Sequence, residues 1–130
     1  MIVCKSPAEI ERMRPANGLV ADVLVELRGK VAPGVTTAEL DAYAENRVRA
    51  AGGVPAFKGY HGFPATLCIS VNEEVIHGIP GPRALVDGDI VSIDLGVVLG
   101  GFYGDAAVTV PVGRISGEAG ELLRVTEEAL

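Results

Sequence analysis

The stretch Ile90-Val91-Ser92-Ile93-Asp94-Leu95-Gly96-Val97-Val98-Leu99-Gly100-Gly101-Phe102-Tyr103-Gly104-Asp105-Ala106-Ala107-Val108-Thr109-Val110 holds two runs rich in β-branched and aliphatic residues. Ile90 to Val98 and Phe102 to Val110 read as strands, and Leu99-Gly100-Gly101 between them reads as a hairpin turn. Each strand carries one aspartate. If the two-residue turn is Leu99-Gly100, Asp94 lies directly opposite Asp105. If it is Gly100-Gly101, the register shifts and the two become diagonal neighbours. Both registers place the carboxylates on one face, because side chains alternate along a strand. Like charges so placed repel, and a shared divalent cation removes the repulsion. The flanking Ile93, Leu95 and Val108 are apolar, so the acids are not part of a solvated charge run. Two exposed acids on the polar face of a half-buried sheet would show the same spacing.

Upstream of the hairpin, Leu67, Ile69 and Val71 alternate with Cys68, Ser70 and Asn72, a strand with two distinct faces. Gly78-Ile79-Pro80-Gly81-Pro82 is a loop and Asp87-Gly88 a turn. Before these come two helices. Ser6-Pro7-Ala8-Glu9 combines a capping serine, a first-turn proline and a capping-box glutamate. Apolar residues then recur with helical period at Ile10, Met13, Val20, Val23, Leu24, Leu27 and Val31, and Pro33-Gly34 ends the run. Pro15 interrupts it and predicts a kink or a restart. Thr36-Thr37-Ala38-Glu39 is a second capping box, opening a helix through Leu40, Tyr43, Arg47 and Val48 that stops at Gly52-Gly53. After the hairpin, Ser116 and Glu118 open a further helix, and the sequence ends inside it. The pattern is α+β: two helices followed by an antiparallel sheet.

The composition agrees with one globular core. The chain has 130 residues, 48% hydrophobic and 22% charged, and its 17 glycines gather at turns. A net charge of −6 without a basic run argues against nucleic-acid binding. Cys4 and Cys68 make no disulfide framework. No apolar run is long enough to span a membrane, and Met1 to Ser6 lack a leader's apolar core. The cytoplasm is the expected compartment.

Two histidines complete the candidate chemistry. His77, in Glu74-Val75-Ile76-His77-Gly78-Ile79-Pro80, suits a proton carrier or substrate donor near neutral pH, or a loop histidine held by backbone. His61, in Gly59-Tyr60-His61-Gly62-Phe63-Pro64, has the same two readings, with packing the commoner. Phe57, Tyr60, Phe63 and Cys68 form an apolar group near both, either core or a pocket for an unbranched apolar side chain.

Five blocks in order resemble the first half of type I (bacterial-type) methionine aminopeptidases. They are Lys30-Val31-Ala32-Pro33-Gly34-Val35-Thr36-Thr37, Gly59-Tyr60-His61-Gly62-Phe63-Pro64, Cys68-Ile69-Ser70-Val71-Asn72-Glu73, His77-Gly78-Ile79-Pro80, and Asp87-Gly88-Asp89-Ile90-Val91-Ser92-Ile93-Asp94 continuing to Gly104-Asp105. The resemblance implies half of a pita-bread fold over residues 1–130, with the final helix opening the second half. It implies a site for two divalent metal ions (Mn, Fe, Co or Zn) held by two Asp, one His and two Glu, of which Asp94 and Asp105 are the aspartates. It places the family's substrate-contacting, catalytic histidine on His77, and the first-half contributions to the methionine pocket on Phe57, Tyr60, Phe63 and Cys68. The implied reaction removes initiator methionine from nascent chains when the second residue is small, with the full-length enzyme monomeric. No histidine follows Asp105, and Glu118, Glu121, Glu127 and Glu128 match neither expected Glu ligand. The chain alone is therefore expected to be inactive. Alternatives are an X-Pro aminopeptidase or prolidase of the same fold, or a non-enzymatic binding module.

Overall fold

Both capping boxes form, and each sets a helix start. The computed structural model describes residues 4–130; residues 1–3, part of the stretch read for a leader, lie outside the described residues. Helix α1 spans Pro7–Arg28, with the Glu9 N–H donating to Ser6 Oγ (3.3 Å) and the Ser6 N–H to Glu9 Oε2 (2.7 Å). Helix α2 spans Thr37–Ala50 and repeats the pattern through Thr36 and Glu39. Such a cap contributes about 1 kcal/mol. Glu26 on α1 braces the two helices, accepting from Arg47 Nε (2.7 Å) and the Tyr43 hydroxyl (2.7 Å).

The expected restart at Pro15 does not form: α1 runs on as one helix with Pro15 inside it. Pro15 is solvent-exposed, so its missing donor strands no buried group, while the next residue, Ala16, is fully buried. A Cβ on Gly104 would stand 2.6 Å from the Ala16 carbonyl carbon. The backbones of α1 and of the strand bearing Gly104 thus pack closely at the residue after the proline.

Four strands follow: β1 Val54–Pro55, β2 Leu67–Val71, β3 Ile90–Leu99 and β4 Phe102–Pro111, and then helix α3, Gly117–Glu128. All pairing is antiparallel around β3, with β4 along one edge and β1 and β2 in succession along the other. One sheet face packs on the helices. Val91, Ile93, Leu95 and Val97 are each 0% exposed against a layer that includes Val20, Val23, Leu27, Leu40 and Val48. β2 has two distinct faces and both are buried: Leu67, Ile69 and Val71 join the core, and Cys68 and Ser70 lie on the opposite face. The other face is covered there by returning loops: the Gly78 N–H donates to Ser70 Oγ at 3.1 Å. Helix α3 buries none of its side chains against the described residues. Among those residues, no helix is long and apolar enough to cross a membrane.

Candidate metal centre

The hairpin turn fixes the carboxylate geometry. Leu99 pairs with Phe102 around Gly100 (φ 60°) and Gly101 (φ 80°), the left-handed pair that a two-residue hairpin requires. Of the two expected registers, this selects the diagonal one: Asp94 pairs with Ala107, and Asp105 with Gly96. On the other side of β3, Cys68 pairs with Asp94. Cys68, Asp94 and Asp105 thus cross three strands on the face turned away from the helices.

Asp94 Oδ1 is buried and has no hydrogen-bond partner. Burial, followed by the charge of Asp105, pushes the Asp94 carboxyl up to about 6, and the charge of His77 opposes the rise. The Cys68 thiol is pushed up to about 11 by burial and then by Asp94, Asp105 and Asp41. It stays protonated at neutral pH and is not offered as a thiolate ligand. An orphaned carboxylate oxygen next to a second carboxylate fits a divalent cation. The pair leaves most coordination positions to other donors: among the described residues, no three His, Cys, Asp or Glu side chains group around one point.

His77 reaches the same concavity from a loop anchored at both ends. Asn72 leaves β2 in the left-handed region (φ 57°), with its amide donating to the buried Asp89 (2.8 Å) and its Oδ1 accepting from the Ile90 N–H (3.0 Å). Glu74 accepts from the Val71 N–H (3.0 Å) and pairs with Arg83 (3.1 Å). Burial pushes Asp89 upward, but the Val86 N–H, the Asn72 amide and the Arg83 charge outweigh it and hold the carboxyl below its ordinary value. At the far end the Ile69 N–H donates to the Gly78 carbonyl (2.8 Å). A Cβ on Gly78 would sit 2.0 Å from the Ile69 carbonyl oxygen, so only glycine lets the chain lie this close to β2. His77 itself has φ 60°.

The aromatic residues come from the segment between β1 and β2. Tight hydrogen bonds, Tyr60 N–H to Phe57 O (2.9 Å) and Gly59 N–H to Phe63 O (2.7 Å), fold it over the sheet. Phe57, Tyr60, Phe63 and Cys68 line a concavity of about 580 Å³ together with His77, Asp94 and Asp105. These seven residues therefore meet in one place. His61 and Ile79 line it too; His61 stacks edge-on against Tyr60 at 4.3 Å. Sequence reasoning missed Gly96, which lies beneath the Phe57 ring. The available signal was a glycine inside an otherwise apolar strand, which marks the close approach of another group.

The chain is similar in sequence to known proteins. The chain is 52% identical over 130 residues to methionine aminopeptidase 1 of Bacillus subtilis (strain 168), covering 100% of this chain and 52% of that protein. It is 55% identical over 129 residues to the methionine aminopeptidase of Clostridium perfringens (strain 13 / Type A), covering 99% and 52%. The crystal structure of methionine aminopeptidase from Thermotoga maritima superposes with a TM-score of 0.96 at 45% identity, covering 100% of this chain and 53% of that one. The chain thus spans about half the length of the curated relatives it matches. The family model for metallopeptidase family M24 matches residues 11–130. With that match and the pita-bread neighbours of its sheet and helices, this chain belongs to metallopeptidase family M24.

Proposed function

We propose that the chain is the amino-terminal half of a methionine aminopeptidase that removes initiator methionine from nascent proteins in the cytoplasm, acting as a monomer. The observation that carries this is the orphaned Asp94 carboxylate oxygen beside Asp105 on the floor of an apolar concavity. Asp94 and Asp105 would hold two divalent cations together with ligands from the second half. A bound pair of cations would supply Lewis-acid polarisation and activation of water near neutral pH.

The chain's own residues do the rest. Phe57, Tyr60, Phe63 and Cys68 take the unbranched methionine side chain and exclude water from it. That burial is worth roughly 1.5–3 kcal/mol of substrate binding. His77, on its anchored loop, donates a hydrogen bond to the peptide and carries a proton at its imidazole. Recognition of the side chain on one wall and of the peptide on the other holds the first peptide bond over the carboxylates, which is the positioning contribution. The preference for a small second residue belongs to the same reading.

The test compares the full-length protein with residues 1–130 alone, on Met-Ala-type peptides with added Mn²⁺ or Co²⁺. The full-length protein is expected to release methionine in a metal-dependent way, and the 130-residue chain is not. Release by the chain alone within about tenfold of the full-length rate would limit the second half's contribution to roughly 1.4 kcal/mol of barrier and overturn the ligand assignment.

A further inference from the structure

Gly96 sits in regular strand, with no positive φ to require a glycine. Its backbone would accept any β-forming residue. What excludes a side chain is the Phe57 ring: a Cβ on Gly96 would meet Cε1 at 2.4 Å, Cζ at 2.9 Å and Cδ1 at 3.0 Å. Carbon atoms in contact rest about 3.5–4.0 Å apart, so even a methyl group would push the ring away by about 1 Å or more. The ring cannot move off sideways with its backbone, because the Ala56 N–H donates to the Gly96 carbonyl at 2.9 Å. The neighbouring Pro55 is paired with Val97. The only free direction is up, into the concavity. Gly96 is opposite Asp105 and two residues from Asp94 on the same face, and the seated ring lines the same concavity as the carboxylate pair.

We propose that Gly96 is a specificity-positioning residue: its missing side chain seats Phe57 flat on the hairpin and thereby sets the depth available to the first side chain of the peptide. This rests on the aminopeptidase reading above. Phe57 touches substrate; Gly96 acts only through it. A longer reach beside the carboxylates admits an unbranched four-atom chain, and a raised ring shortens it.

The experiment uses the full-length protein with Mn²⁺ and four forms: wild type, Gly96→Ala, Phe57→Leu and the double variant. Gly96→Ala is expected to lower kcat/KM for methionyl peptides tenfold or more, mainly through KM, while norvalyl and alanyl peptides lose less than threefold. Adding Phe57→Leu should recover most of the methionyl rate. In thermal melts, Gly96→Ala should lower Tm by about 5 °C, and Phe57→Leu should return at least half of that shift. Equal losses on all three peptides, or no rescue, would overturn the proposal. If Gly96→Ala does not fold, Phe57→Leu alone decides: the leucyl-to-methionyl ratio of kcat/KM should rise about fivefold, and an unchanged ratio rejects the role. Should wild type release methionine from no peptide, the aminopeptidase reading falls and takes the specificity role with it. The melts then still decide whether ring and glycine are coupled.

Discussion

The two faces of β3 differ more than any two separate parts of the molecule. Val91, Ile93, Leu95 and Val97 face the helices and are completely buried. Asp94 and Gly96, one residue away, lie on the opposite face and carry an unpartnered oxygen and a missing side chain. One face is satisfied by packing. The other is left unsatisfied where a ligand would complete it. A single strand therefore separates stability from chemistry by its pleat alone, and substitutions on the two faces should fail in different assays.

The largest expected effect is on the concave face. In the full-length protein, Asp105→Asn should lower kcat/KM by roughly 10³-fold or more, about 4 kcal/mol of barrier, with little change in melting of the metal-free form. A comparable loss of metal-free stability would mean that Asp105 is structural. On the helix face, Leu95→Ala should cost roughly 2–5 kcal/mol in urea unfolding by leaving a cavity in the core. Retained stability there would break the division between faces. His77→Ala is next, with a loss of about 10²-fold in kcat/KM for methionyl peptides and unchanged metal binding. An unchanged rate would leave His77 a loop residue.

The smallest effect is a gain, and it depends on pH. Asp94 is held up at about 6 by burial and by Asp105, so the folded metal-free protein prefers its neutral form. The stability this confers is fully present below the ordinary aspartate range near 4, and is lost as pH rises through about 6. Metal-free Asp94→Asn should therefore be more stable than wild type at pH 7, by roughly 1 kcal/mol after solvent screening is allowed for, and should lose the dependence between pH 4 and 6. Urea midpoints across that range, in the presence of a chelator, measure it. A wild type whose stability rises across the same range would reverse the sign and remove the case for a strained carboxylate pair.

Much of this was legible before any coordinates. Both capping boxes and the hairpin follow from local chemistry, and five ordered blocks hold all the candidate residues except Phe57, which lies just before the second of them. What was not legible depends on contacts distant in sequence. The two hairpin registers were open because Leu99, Gly100 and Gly101 offer two turns; the adjacent left-handed glycines select one. Pro15 pointed to a kink or a restart, since nothing in its neighbourhood reveals that Ala16 lies against Gly104. The alternation in β2 does not reveal what covers its second face, because the chain that does so arrives eight residues later, at Gly78. Gly96 resembled any strand glycine until the Phe57 ring was found on it.

The loop that bears His77 has a consequence for how such proteins can vary. Its anchors are Asn72 and Glu74 on one side and Gly78 on the other, and Val75 and Ile76 between them stand 91% and 64% exposed. The imidazole's address is thus written in β2, through the hydrogen bonds at Ile69 and Ser70, and not in the loop that displays it. Residues 75 and 76 are an editable margin, where composition can drift while the histidine stays where it is.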